Sequence, residues 1–415
     1  MTITNPLLTR RAVVLAGTEA TYRDPAVLGA TDAVLVENPQ YSIDAESLER
    51  NFVRNDLSPL ARVIGRKQAS MTFTTELRGS GFQNSGLLSD MPKLADLFRA
   101  SGYSLTLMAS AELSPVHEIG THRNKVSFVD GSVLTSTDLI AYHLEVTTGG
   151  ASGVAEITVT SDTVGEESAA QVVTDGAPFT FGTKGVSLTP TLSGDLTVGQ
   201  KWTVWAYPPG GRLDPVSDNF ESCSLEMYLD GVLHQMHGCF GTFNITAQAG
   251  QYAQIEWTFR GTYVAPVDAP FPAGIEFETA LPPIVELARL RVDNFYAIVN
   301  QFTFTQNNDI QVRPDVSSEE GYVGQRIVGR NTEGGIDPEA ELVADHDFWD
   351  RMSRATRMPF QMRIGQEAGQ SVWMLAPSVQ YTGLTYGDRN QIRTYDAGLL
   401  FSRSKGDDEF VVILA

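Results

Sequence analysis

The sequence has little cysteine, little histidine, a shortage of cations and no long apolar run, and each of these excludes something. Two cysteines in 415 residues cannot staple a disulfide scaffold. They flank an Asp-Gly pair at Leu229-Asp230-Gly231-Val232, the mark of a two-residue hairpin turn. Counting outward from that turn sets Cys223 opposite Gly238 and Cys239 opposite Ser222, with the two side chains on opposite faces, so both thiols are expected to be free. No stretch approaches the roughly 20 apolar residues that cross a bilayer. The first apolar run, residues 12–16, is shorter than the core of a secretory signal. The expectation is a chain made in a cytoplasm and not inserted in a membrane. Only 30 Lys and Arg oppose 50 Asp and Glu, a formal charge of −20, which argues against a surface that grips nucleic acid through its phosphates.

The residues that usually carry chemistry are also sparse. The histidines are His117, His122, His143, His234, His237 and His346. His234 and His237 have a metal-like spacing, but within a strand an odd spacing sends the rings to opposite faces. There is no nucleophile elbow, no phosphate-binding loop and no dinucleotide fingerprint. Asp345-His346-Asp347 precedes a helical pattern, where acidic residues cap the helix and meet its dipole. Asp44, Glu46 and Glu49, like Glu319 and Glu320, read as solvated charges. Trp257, Trp349 and Trp373 fall at core-facing positions. The sequence predicts no enzyme, no metal and no cofactor.

What is present is a repeat. Arg62-Val63-Ile64-Gly65-Arg66 returns as Arg326-Ile327-Val328-Gly329-Arg330. Neighbouring blocks recur in the same order. Arg54-Asn55-Asp56 matches Arg313-Pro314-Asp315, each after an alternating run holding Tyr41 and Ile43 or Phe302 and Phe304. Helical spacing at residues 93–100 matches residues 347–355, and residues 243–255 match 379–392. An internal duplication explains four matched blocks in order.

The chain divides accordingly. Residues 1–31 read as an N-terminal arm. Residues 32–145 and 212–265 form a first unit, interrupted by a Gly-, Ser- and Thr-rich stretch, 146–211, read as a small all-β, immunoglobulin-like insert. A proline-rich linker covers 266–286, a second unit 287–403 and an acidic-then-apolar tail 404–415, whose packing the sequence leaves open. Alternation sends Met71, Phe73, Leu77, Phe302 and Phe304 to a packed interior, with Thr72 and Thr74 on the other side.

The repeated blocks and the phrases around them resemble the tail tube proteins, or major tail proteins, of long-tailed bacteriophages. The phrases are A-G-T-E-A-T-Y-R-D-P from Ala16, L-D-G-V-L-H from Leu229, R-P-D-V-S-S-E-E-G-Y-V-G from Arg313 and T-G-L-T-Y-G-D-R-N-Q-I-R-T-Y-D from Thr382. The resemblance covers both copies but not the insert. It implies a mainly β fold: two tandem β-sandwich domains, each with a short helix, and the insert in the first. It also implies a structural subunit of the virion tail, whose domains form six-membered rings that stack into a tube. Since one chain carries two domains, the implied ring is a homotrimer with pseudo-sixfold symmetry. Its β-barrel of roughly 24 strands would span roughly 45–50 Å and pass DNA without sequence-specific binding. Other tail proteins would meet the tube ends.

The charged hairpins at residues 49–66 and 313–330 would then make ring-to-ring contacts through Arg50, Arg54, Asp56, Arg62 and Arg66, and through Arg313, Asp315, Glu319, Glu320, Arg326 and Arg330. The alternatives are another tail ring component, a distal-tail or terminator protein, or a β-rich carbohydrate-binding or adhesin protein.

Overall fold

The computed structural model describes residues 7–8, 10–80, 91–119, 126–367 and 369–415. The chain is mainly β, with two short α-helices among the described residues, Leu94–Ala100 and Phe348–Ser353. His122 lies outside the described residues.

One antiparallel layer runs through both copies. Its strands lie in the order Glu37–Leu48, Val63–Glu76, Gln254–Tyr263, Val232–Gln248, Gln301–Thr305, Glu333–Ile336, Ile392–Phe401 and Val372–Arg389. The first four come from the first copy and the last four from the second, in the same succession. Alternation gives this layer one apolar face, and Met71, Phe73, Leu77, Phe302 and Phe304 are all buried there, as the period-2 pattern requires. The helices pack against that face. Phe98 meets Phe243 and Trp257 edge-on, with ring centroids 4.9 and 5.1 Å away. In the second copy Phe348 packs on Tyr395 at 5.0 Å and Tyr381 at 5.3 Å. The side chain of Asp347 accepts a hydrogen bond from the Asp350 backbone N–H at 2.9 Å, the capping role expected of it.

Behind the helices lies an outer layer. Ala12–Thr18 pairs with Cys223–Leu229 on one side and Ala33–Val34 on the other. Val14, Leu15 and Ala16 are completely buried, so Ala12–Thr18, within the stretch read as an arm, is a core strand. A short apolar run buried on both faces carries no alternation to announce it. The Asp230-Gly231 turn forms as expected, both residues having positive φ. The register beyond it differs. A bulge between Cys223 and Leu225 shifts the pairing by one residue and brings Cys223 opposite Cys239. Both thiols are buried and free, and burial, followed by the Cys223 neighbour, pushes the Cys239 thiol up.

The Gly- and Ser-rich region folds as two small sheets around its own core. One sheet pairs Ser168–Val172, Glu156–Ser161, Ile140–Thr148 and Lys201–Tyr207, with Glu112–Leu113 and His117–Ile119 along the last strand. The other pairs Phe179–Phe181, Val186–Leu192 and Val126–Asp130. Tyr142, Leu144, Ile157, Phe181 and Trp202 fill the space between. Its strands and core therefore begin well before residue 146. The whole unit stands on the hairpin formed by Tyr103–Met108 and Gly210–Pro215.

The apolar tail is a strand. Val411–Leu414 lies between Gly210–Pro215 of the first copy and Val372–Arg389 of the second. Trp205, Tyr207, Trp373, Leu375 and Ile413 share one buried cluster beside it. The Trp205 indole N–H donates to Gln361 Oε1 at 3.1 Å. The insert's base, the tail and the second copy are thus one packed block.

Candidate assembly site

The two hairpins that carry the repeated phrase begin alike and end differently. In the first, Glu37–Leu48 and Val63–Glu76 pair out to Leu48 opposite Val63, and residues 49–62 continue as an irregular tip. Phe52, Val53 and Leu57 are among its exposed apolar side chains. Its charges satisfy one another locally: Arg62 reaches Glu49 at 2.6 Å, Arg66 reaches Glu46 at 3.0 Å and Arg54 reaches Asp56 at 3.0 Å. Arg50 lies over the Phe52 ring at 5.7 Å. Exposed pairs of this kind contribute at most about 1 kcal/mol each.

The second hairpin, Asn308–Pro314 with Tyr322–Arg330, folds back over the first copy. Tyr322 is completely buried, and its hydroxyl donates to the Lys67 backbone carbonyl at 2.9 Å. Tyr22 clasps the other side: its hydroxyl donates to the Gln325 carbonyl at 2.9 Å and accepts from the Gln325 N–H at 2.6 Å. Burial raises both phenols above their ordinary values, keeping them protonated donors. Glu320 pairs with Arg23 at 2.6 Å, and Arg326 lies over the Phe220 ring at 5.8 Å. Arg330 bonds Asp407, Glu409 and the Val216 carbonyl.

Asn308 donates through its side-chain amide to the carbonyls of Ser101, at 2.7 Å, and Gly241, at 2.8 Å. Glu320, Arg326 and Arg330 are therefore occupied within the chain. Arg313 and Glu319 remain exposed, and Asp315 accepts from the Ser317 N–H at the tip, at 2.9 Å. Sequence reasoning put both hairpins in one class; the apolar Tyr322 and Ile327 were the signal that the second has a buried side.

The long antiparallel layer has two open edges. Among the described residues, Glu37–Leu48 pairs only with Val63–Glu76, and residues 382–389 pair only with Ile392–Phe401. The joint between the copies shows how such edges meet. Asn244 through Gln248 pair antiparallel with Thr305 through Gln301. The Gln306 N–H donates to the Phe243 carbonyl at 3.0 Å and the Ala249 N–H to the Asn300 carbonyl at 2.9 Å.

The outward face of this layer is hydroxylic and acidic. Ser42, Ser70, Thr72, Thr74, Thr246, Thr258, Thr303 and Thr305 lie on it, as the register requires. Asp44, Glu76, Glu256, Glu333 and Asp396 share it, with Arg260 and Arg389 among the opposing cations. A groove of about 510 Å³ beside it, lined by Arg66, Gln68, Arg260, Asn308 and Gln311, separates the hairpins.

A family model for the phage tail tube protein matches residues 9–392. The chain belongs to that family. No curated protein matches it. Membership gives the tail tube chain a structural role in the virion tail, built together with copies of itself and other tail proteins. Among the described residues no group of three or more His, Cys, Asp or Glu is placed to hold a metal, and no helix is long and apolar enough to cross a membrane.

His346 serves packing. His346 is stacked on Phe295 at 4.5 Å and faces Phe348 and Tyr381. Burial, with Arg351 adding, pulls its imidazole down to about 4. Trp257 and Trp373 are buried, whereas Trp349, expected in the core, stays partly exposed against Tyr386 and Tyr395. Its helix is short and stands at the open edge of the layer, which leaves nothing beyond it to pack on.

Proposed function

We propose that the chain is a self-assembling subunit of the tail tube, and that three copies close a pseudo-sixfold ring. The observation that carries this reading is the eight-strand layer with one edge at Glu37–Leu48 and the other at residues 382–389. Joining these edges between chains, as the internal joint joins the copies, continues the layer head to tail. Unpaired strand edges are otherwise an aggregation hazard, and closure removes them. The edges lie on different strands, so the contact is heterologous and generates rings or helices, not a two-fold dimer.

The hydroxylic, acidic face then lines the lumen. Its carboxylates repel phosphates, and DNA moves through without being held. The insert packs on the outer layer, away from this face, and stands outside the tube. The residues of the two tips, Arg50, Arg54 and Asp56 of the first and Arg313, Asp315 and Glu319 of the second, have among the described residues only local partners within their own tips and meet the next ring. Other tail proteins close the ends of the tube.

Negative-stain microscopy of the purified protein tests this. Tubes with a central channel and threefold subunit mass per ring are the expected result. Isolated rings that never stack would indicate a tail ring component of another kind, and six equal masses per ring would contradict the trimer. Reversing charge at Arg50 and Arg54 is expected to shorten the tubes while leaving rings intact.

A further inference from the structure

The end of each helix is built the same way and buried differently. Helix Leu94–Ala100 is followed by Ser101 and then Gly102 at φ +87°, whose N–H donates to the Arg99 carbonyl at 3.1 Å. Helix Phe348–Ser353 is followed by Arg354 and then Ala355 at φ +50°, whose N–H donates to the Met352 carbonyl at 3.0 Å. Gly102 and Ala355 are equivalent turns. In the first copy Ser101 and Gly102 are buried under the second hairpin, and the Ile327 side chain stands 3.3 Å from where a Cβ on Gly102 would be. In the second copy Ser353, Arg354 and Ala355 are exposed. The repeated phrase supplies the missing piece: Val63 holds the position that Ile327 holds in its own hairpin. Ile327 is 4% exposed and Val63 49%.

We infer that the root of the first hairpin seats on the second copy of a neighbouring chain in the same ring, with Val63 against the helix end at Ala355. This rests on the ring reading above and makes the hairpin root a lateral contact, leaving only its tip for the next ring. Several observations converge on that occupant. The internal joint brings the second hairpin onto the copy that precedes it, so the first hairpin must look for a preceding copy in another chain. The edge strand Glu37–Leu48 that carries it is the one that meets the edge at residues 382–389, next to helix Phe348–Ser353 in the fold. The apolar side chains that the second copy leaves exposed there, Leu342, Val343, Trp349 and Tyr386, have their counterpart in the exposed Ile43, Leu48, Val63 and Ile64 of the first hairpin. Apolar patches left bare on both sides of a prospective joint are the signature of an interface.

The test mixes two single-site variants, Val63→Cys and Ala355→Cys, assembles them together and treats the rings with a short bismaleimide. A covalent two-chain product that needs both variants is expected, and neither variant alone gives it, since the native thiols are buried. A Val63→Glu chain is expected to melt like the wild type yet form rings at least tenfold less readily. Rings assembled from the two cysteine variants together that give no cross-linked pair, or a Val63→Glu chain that assembles normally, would overturn this contact and leave the ring reading standing. A wild type that forms no rings under any assembly condition would overturn both.

Discussion

The two hairpins share nearly the same five residues, and their environments are opposite. Ile327 is packed on the first copy, while Val63 faces solvent. Arg330 is shielded between two carboxylates, while Arg66 holds one exposed partner. The difference lies in what precedes each hairpin in the chain. The second finds the first copy waiting for it, and the first finds nothing of its own. A repeated sequence therefore specifies a repeated contact, but only one of the two can be completed inside a single chain.

Substitutions at matched positions separate the two cases. The largest effect is expected at the joint itself. Phe304→Ala removes a buried ring stacked on Phe410 and edge-on to Phe401, and urea denaturation should show a loss of about 3–5 kcal/mol. Ile327→Ala should cost about 2–3 kcal/mol, whereas Val63→Ala in the unassembled chain should stay within about 0.5 kcal/mol; equal losses would erase the asymmetry. Arg330→Ala strands Asp407 and Glu409 and is expected to cost about 2 kcal/mol, against under about 0.5 kcal/mol for Arg66→Ala.

Acid should act on the second copy through His346. Its folded imidazole titrates near 4 and the unfolded one near 6.5, so between those values the unfolded chain binds a proton that the folded chain refuses. Stability then falls as pH drops from 6.5 to 4, by up to about 1.4 kcal/mol per pH unit. The smallest expected effect is that His346→Phe flattens this slope in thermal melts while leaving the pH 7 melting temperature within a few degrees.

Much of the fold was legible because it depends on period. Strands with one wet face announce themselves, and so Met71, Phe73, Phe302 and Phe304 were placed correctly from alternation alone. Where a strand is buried on both faces, as at Ala12–Thr18, or where a bulge changes the count, as between Cys223 and Leu225, local pattern carries no such information. The insert shows the same limit. Its Gly- and Ser-rich composition marks the middle of the unit, but its first strands, such as Val126–Asp130 and Ile140–Thr148, look like those of the domain around it. A deletion meant to remove it should therefore start near Glu112 and spare Gly210–Pro215; cutting at residues 146–211 leaves Val126–Asp130 behind and removes Gly211, which pairs with Leu414 in the strand that holds Val411–Leu414.

The assembly residues were harder to read. Sequence identified the charged hairpins but not which charges are occupied: Arg330 meets Asp407 and Glu409 across 77 and 79 positions, and no local pattern encodes that. The open edges were invisible for a related reason. An edge strand and a central strand have the same alternation, and only the pairing map distinguishes them.

The internal joint also changes how assembly depends on concentration. In the proposed ring half of the joints are made when the chain folds, at an effective concentration set by the linker and not by the amount of protein. Ring formation from three chains then depends on the third power of the free subunit concentration, where six separate domains would require the sixth. Tethering the copies therefore lets rings nucleate over a wider range of subunit supply, and it halves the number of joints through which a finished ring can open.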